Sequence, residues 1–206
     1  MGCLFRLFLI VFSCFLALAV LAFSAVLAIN WAVPWWLERE IHERTGFQVD
    51  IGSFEFDPWR GRIEVRETIV ENPADWPWKS FVDLAEASIV AHPLEVMSRP
   101  YVIDTVTLHV NRVTLARLED GQTNFDYFRE HLELAGAFER ADRVLPEIRI
   151  RELSFRLDVI RQIDDSGVEL RETEIPVEIE VELRDLDSLE AAITAVLAEI
   201  ERNPVN

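Results

Sequence analysis

An uncharged apolar run from Leu7 to Ile29 constrains the fold more than any other feature of this chain. The run is 23 residues long, and a helix of that length spans roughly 35 Å. It can therefore cross a hydrocarbon core of about 30 Å with some tilt. Because a signal peptide has an apolar region of only about 7–15 residues, the run favours an uncleaved membrane anchor. Cleavage after Ala28 is the alternative.

The residues that flank the run predict its direction in the membrane. Arg6 is the only basic side chain before the run, and positive charge favours the cytoplasmic side. The N-terminus is therefore predicted to be cytoplasmic, with residues 31–206 outside. Three indoles follow the run, at Trp31, Trp35 and Trp36. Indoles favour the headgroup layer, so these residues are expected at the membrane surface.

Charge and cysteine content exclude several classes of function. The chain carries 37 acidic and 20 basic residues, a net charge of −17. A nucleic-acid partner is not expected, because its phosphates require a basic face. The acidity also argues against the domain lying flat on anionic lipid. Both cysteines, Cys3 and Cys14, lie in or beside the apolar run, so neither a disulfide nor a cysteine-based zinc site is expected in the exported part.

Short alternations of apolar and polar residues begin at Phe47 and recur as far as Leu183. Such alternation is typical of strands with one buried face. It is clearest in Val102–Val110 and Ile175–Leu183. The first alternating segments, with the turn Asp57–Gly61 between them, predict a hairpin from Phe47 to Glu71. A break at Asn111-Arg112 predicts a bulge or a bend. These patterns indicate a mainly β protein of the α+β class, built around an antiparallel sheet.

The chain divides into one membrane segment, one domain and two flanking helices. We predict a signal anchor at 1–33, a juxtamembrane helix at 34–46, a β domain at 47–186 and a C-terminal amphipathic helix at 187–206. Pro34 suits the first turn of the juxtamembrane helix, and Gly46 suits a left-handed cap at its end. A mid-chain helix is predicted from Asn124, as its N-cap, to about Phe138.

After the apolar run, six segments follow one another in a recognisable order: Thr45–Phe56, Arg60–Val65, Glu71-Asn72-Pro73, Ile103–Leu108, Leu115-Ala116-Arg117 and Asp120–Phe125. In this order they resemble the N-terminal module of the AsmA-like family of envelope proteins. The resemblance covers roughly residues 1–160 and depends on order and spacing.

This resemblance implies an inner-membrane anchor and a periplasmic, strongly twisted sheet with an apolar concave face that binds or carries phospholipid. The chain is short, so a complete conduit between two membranes is not expected from one copy. The alternatives are an ordinary core, in which the two helices pack on this face, and a two-sheet sandwich. The candidate lipid-facing residues are Phe47, Val49, Ile51, Val106, Leu108, Val110, Ile179 and Val181.

A second hypothesis is a non-catalytic, membrane-tethered scaffold or assembly subunit that binds an envelope protein. Exposed aromatic and apolar side chains often anchor such interfaces. The same residues could instead cover one end of the sheet or cap its last edge. The candidate partner-binding residues are Trp76 and Trp78 in a proline-rich loop, and Leu189, Ile193, Leu197 and Ile200 in the C-terminal helix.

The sequence predicts no enzyme activity, no cofactor and no metal site. The four histidines, at positions 42, 92, 109 and 131, have no metal-ligand spacing. Motifs for a nucleophilic serine, a phosphate loop or a zinc protease do not occur. Carboxylates are so numerous that choosing any pair as acid and base would be arbitrary.

Overall fold

The structure is a computed structural model that describes residues 2–92, 99, 101–118, 120–134, 148–165, 170–188, 191 and 195–196. Within these residues an N-terminal helix precedes a six-stranded sheet, and a second helix interrupts the order of the strands. The elements are α1 (Gly2–Thr45), β1 (Gln48–Asp57), β2 (Arg62–Glu71), β3 (Ser80–Val90), β4 (Tyr101–Arg117), α2 (Asn124–Leu134), β5 (Ile148–Asp164) and β6 (Arg171–Leu186). The α+β class and its mainly β content are confirmed.

The helix α1 continues without a break from the apolar run to Thr45. The prediction of a separate helix starting near Pro34 is therefore wrong, because Pro34 lies inside the helix. The predicted cap is confirmed: Gly46 has a φ of 76°, and its N–H donates to the carbonyl of His42 at 2.9 Å. Among the described residues, α1 is one helix that is long and apolar enough to cross a membrane.

The six strands follow one another in the sheet in chain order. All neighbours are antiparallel except β4 and β5, which are parallel. The predicted all-antiparallel sheet is therefore wrong at that pair. Alternation reports which face of a strand is buried and not which way it runs, so the pattern could not show this. The hairpin predicted from Phe47 to Glu71 is confirmed as β1 and β2.

One face of the sheet, the apolar face, is lined by rows of side chains that cross all six strands. Paired residues on neighbouring strands point to the same side, so the register gives one row at each level. Two rows are Phe56, Ile63, Ile89, Val106, Leu153 and Leu183, and Phe54, Val65, Ala87, Leu108, Phe155 and Val181. Two more are Ile51, Thr68, Leu84, Val110, Leu157 and Ile179, and Val49, Val70, Val82, Val113, Ile160 and Ile175.

The alternation of apolar and polar residues changes phase along a line that crosses the sheet between the Phe54 row and the Ile51 row. We call this line the crease. In β1 the apolar residues Ile51 and Phe54 are three positions apart instead of two. Residues on both sides of the crease still join one hydrophobic cluster, so the phase change keeps the apolar side chains on one face. Its residues are Gly52, Glu67, Ala85, Asn111 and Asp158 on β1 to β5 and Glu178 on β6. The break predicted at Asn111-Arg112 is confirmed.

The backbone at the crease has an unusual conformation on two strands. Glu67 and Glu178 have positive φ values of 53° and 45°, which cost side-chain-bearing residues about 1 kcal/mol. Gly52 lies beside Glu67, and a Cβ on Gly52 would be 2.8 Å from the Glu67 Cβ. The strands can therefore approach here only because position 52 has no side chain.

Candidate functional site

The two ends of the apolar face differ. We call the end at which β1 begins the Phe47 end, and the end at which β1 finishes the Phe56 end. At the Phe56 end, a hollow of about 420 Å³ lies on the apolar face, within the size range of small-molecule sites. Ile63 and Ile89 on its floor are each 40 % exposed. The lining contains no charged side chain: it consists of Phe56, Pro58, Gly61, Ile63, Ile89, Ala91, Tyr101, Val102, Ile103 and Ile148.

Side chains of α1 bind the free backbone edge of β1 and fix the height of the Phe56 end. The Asn30 amide bonds both backbone groups of Phe56: the N–H donates to Oδ1 at 2.6 Å, and Nδ2 donates to the carbonyl at 3.3 Å. Further along, the N–H of Ile51 donates to Glu38 Oε1 at 3.0 Å. Because Asn30 directly follows the apolar run, the hollow lies at the level where that run ends.

At the Phe47 end, aromatic side chains close the sheet against α2. Phe47 is fully buried, and its ring centroid lies 5.3 Å from that of Phe81 and 5.0 Å from that of Phe128. Trp76 packs edge-on against Tyr127 at 5.9 Å. Burial, followed by the negative charges of Asp75 and Glu130, raises the pKa of Tyr127. This end is therefore packed around an aromatic core. A hollow of about 420 Å³ also lies here, between α2 and the ends of β4 and β5, but its lining includes the charged residues Arg117, Asp126 and Asp164.

A buried amide network joins α2 to the strands at the Phe47 end. Asn124 is fully buried; its Oδ1 accepts from the Ala116 N–H at 3.0 Å, and its Nδ2 donates to the Thr114 carbonyl at 2.8 Å. Nδ2 also donates to Asn72 Oδ1 at 3.2 Å. The prediction that Asn124 is the N-cap is wrong, because the Thr123 hydroxyl accepts from the Asp126 N–H at 3.0 Å.

The opposite face of the sheet, the polar face, is lined by ion pairs. Asp158 lies at the crease, where Oδ1 accepts from Arg156 Nε at 2.7 Å and Oδ2 lies 2.9 Å from His109 Nε2. These two hydrogen bonds, from Arg156 first and His109 second, lower the pKa of Asp158. Glu64 is buried between Arg62 and Arg66. Among the described residues, no group of three or more His, Cys, Asp or Glu could hold a metal ion.

The predicted lipid-facing residues divide into three groups. The prediction that Phe47 faces lipid is wrong, because its side chain is enclosed by the aromatic core and faces no open surface. Val110, Ile179 and Val181 lie on the apolar face but are at most 6 % exposed, packed within the protein's own cluster. The other four predicted residues, Val49, Ile51, Val106 and Leu108, lie on the apolar face and are half-buried.

The predicted partner-binding residues give little support to a docking surface. Trp76 is only 7 % exposed and packs against Ala116 and Ile163. It therefore covers one end of the sheet and presents little surface to a partner. Trp78 is half-buried and packs on the same cluster as Trp76. The other four candidates, Leu189, Ile193, Leu197 and Ile200, lie outside the described residues.

The open residues at the Phe56 end were not among the predicted site residues. Ile63 and Ile89 were recognised as strand residues, but nothing in the alternation distinguishes an open end of a face from a closed one. The available signal was Asn30, a polar residue directly after the apolar run. Its partner, the backbone of Phe56, carries no side-chain signature and could not be read from the sequence.

Comparisons with models of protein families, with curated proteins and with solved structures found no match to this chain. The protein is therefore classified by its fold alone. A long apolar N-terminal helix is joined to a mixed six-stranded sheet with one apolar and one polar face. The resemblance to AsmA-like proteins stays a hypothesis based on the order of the sequence segments.

Proposed function

We propose that this protein is anchored in the plasma (inner) membrane of a cell with an envelope and binds phospholipid on its apolar sheet face. The acyl chains enter at the Phe56 end, which lies at the level of the bilayer surface. The role is one of lipid binding or transport outside the cytoplasm, without catalysis. The resemblance to AsmA-like proteins supports the same function and the same location.

The observation that carries the proposal is the position of the hollow relative to the anchor. The Asn30 amide binds Phe56, the first residue of an apolar row. An acyl chain leaving the bilayer beside α1 therefore meets the Phe56 end before any other part of the apolar face. Each methylene that this surface removes from water contributes about 0.8 kcal/mol, so binding requires no polar motif.

The polar face explains why lipid would bind on one side only. Its rows place acidic residues beside basic ones, as in the row Ser53, Arg66, Glu86, His109, Arg156 and Glu180. An acyl chain placed there would desolvate paired charges without replacing their partners. The two faces therefore offer a lipid tail two opposite environments within one sheet.

Photocrosslinking from defined positions tests this proposal on the full chain in phospholipid vesicles. A benzophenone amino acid replaces Ile63, Ile89 or Leu84 on the apolar face, and mass spectrometry identifies any lipid adduct. Leu84 lies five residues further from the Phe56 end than Ile89, roughly 17 Å along the strand. A lipid adduct at Leu84 therefore separates binding along the face from simple proximity to the bilayer.

Ile69 provides the matched control. It is 45 % exposed, close to the 40 % of Ile63, and it lies on the same strand. It pairs with Asp50 and Asp83 on the polar face, one position from the level of Leu84. The proposal expects adducts at Ile63, Ile89 and Leu84 and none at Ile69. Absence of an adduct at Leu84, or equal labelling at Leu84 and Ile69, would overturn it.

A further inference from the structure

We propose that the turn between β1 and β2 enters the headgroup layer of the bilayer that holds α1 and forms a second membrane contact. The turn comprises Asp57 to Gly61, and its exposed side chains are Trp59 and Arg60. This inference rests on the anchor in the proposed function, and it does not require lipid to bind along the apolar face.

The height of the turn follows from the contacts between α1 and β1. The strand β1 begins beside the C-terminal end of α1, where His42 Nδ1 lies 3.3 Å from the Phe47 carbonyl. It ends beside Asn30, which bonds Phe56. The chain therefore runs toward the apolar segment of α1. Only Asp57 and Pro58 continue past Phe56 before the chain turns at Trp59 and Arg60, an extension of at most about 7 Å. The turn therefore lies on the membrane side of Asn30, beside the last residues of the apolar run.

The turn presents an indole and a guanidinium in a fixed arrangement. Trp59 is 79 % exposed, and the side chain of Arg60 is also 79 % exposed. Asp57 Oδ1 accepts from the backbone N–H groups of Trp59 at 3.0 Å and Arg60 at 3.1 Å. Gly61 has a φ of 60°, a conformation that a glycine adopts without strain. The turn is therefore organised before it meets a partner.

A phospholipid headgroup layer is the occupant that this chemistry fits. An indole is stabilised where one edge contacts acyl chain and its N–H contacts water or phosphate, and a guanidinium binds phosphate oxygens. Two indoles that follow the apolar run on α1 are exposed as well, with Trp31 at 81 % and Trp35 at 60 %. Exposed aromatic side chains therefore lie on both α1 and the turn near the end of the apolar run.

This contact would orient the domain on the membrane. A single helix allows the sheet to tilt in any direction around its end. A second contact, on the far side of the Asn30–Phe56 bonds, restricts that tilt and holds the hollow at the Phe56 end toward the bilayer. The acidic charge of the chain elsewhere, with a total of −17, opposes other orientations on anionic lipid.

Spin-label depth measurements on the full chain in vesicles of phosphatidylcholine and phosphatidylglycerol test this inference. Cys3 and Cys14 are replaced by serine, and the label is attached through Arg60→Cys, which keeps Trp59. Gln122→Cys, in an exposed turn at the Phe47 end, is the matched control. We expect the label at position 60 to collide several-fold more with oxygen, relative to a water-soluble nickel complex, than the label at position 122.

A second variant keeps the inference falsifiable if labelling itself disturbs the turn. Adding Trp59→Ala to Arg60→Cys should lower the oxygen-to-nickel ratio toward that at position 122, while circular dichroism stays unchanged. Equal ratios at positions 60 and 122 in the protein that retains Trp59 would overturn the inference. That result would leave any lipid adduct at Leu84 standing. A membrane-embedded label without a Leu84 adduct would reject only binding along the face.

Discussion

The Phe47 end and the Phe56 end of the sheet are built from similar apolar residues but differ in what covers them. At the Phe47 end, α2 supplies Tyr127 and Phe128, and the Phe47 ring is fully buried among them. At the Phe56 end, Ile63 and Ile89 are 40 % exposed beside a hollow. The closed end therefore contributes to stability, and the open end is the one at which we propose that lipid enters; an apolar row alone does not reveal which of the two it is.

The largest expected effect comes from truncating the closed end. Phe47→Ala removes a fully buried ring and should lower the free energy of unfolding by about 3–5 kcal/mol. Ile63→Ala, at the open end, should cost less than about 1 kcal/mol because the side chain already contacts water. Chemical unfolding of both full-chain variants in the same detergent measures the difference. Equal losses would contradict the distinction between the two ends.

The buried amide network should give the next largest effect. Asn124→Ala removes the partner of the Ala116 N–H, the Thr114 carbonyl and Asn72 Oδ1, and a buried group left unsatisfied costs about 1–3 kcal/mol. The control is Gln122→Ala, in the exposed turn nearby, which should change stability by less than about 0.5 kcal/mol. Thermal unfolding compares the two variants. A loss for Asn124→Ala no larger than that of the control would show that the network does not stabilise this end.

The crease, between the two ends, can be perturbed at Gly52. Gly52→Ala places a Cβ 2.8 Å from the Glu67 Cβ and carbonyl oxygen, and overpacking of this kind costs about 1–3 kcal/mol. Glu67→Gly should have the opposite sign, stabilising by up to about 1 kcal/mol, because it relieves a positive φ. Urea unfolding measures both. Tolerance of alanine at position 52 would mean that the strands are further apart than the structure shows.

The smallest effect is expected from the polar face and depends on pH. The hydrogen bonds from Arg156 and His109 lower the pKa of Asp158, so its charged form stabilises the folded state above the unfolded pKa of about 3.9. This contribution is lost as the pH falls through the lower folded pKa. Asp158→Asn should therefore be less stable than the parent protein at pH 7, and the difference should shrink in acid. A difference that grows below pH 4 would contradict this assignment.

Local features of the fold followed from the sequence where a short segment carries its own signal. The cap at Gly46, the hairpin beginning at Phe47 and the break at Asn111 are all found in the structure. Each depends on a few neighbouring residues: a glycine after a helical run, a turn between two alternating segments, or a change of phase.

Features that depend on distant partners could not be predicted. The parallel pairing of β4 and β5 is set by the route of the chain between Arg117 and Ile148, and alternation does not record direction. Asn124 is of a residue type that favours the N-cap position, yet its hydrogen-bond partners lie in β4 and at Asn72. Likewise, the position of the hollow relative to the apolar run depends on the bonds between Asn30 and Phe56, and the residues that line it resemble any other strand residues.

The bonds from α1 to the edge of β1 have a practical consequence for producing this domain without its anchor. A fragment cut just before Phe47 would lose Glu38 and Asn30, and the amide groups that they satisfy would face solvent along an unprotected outer strand. Such a strand is a template for pairing with a second molecule and for precipitation. A fragment that starts at Asn30 keeps these hydrogen bonds to β1 and lacks the apolar run.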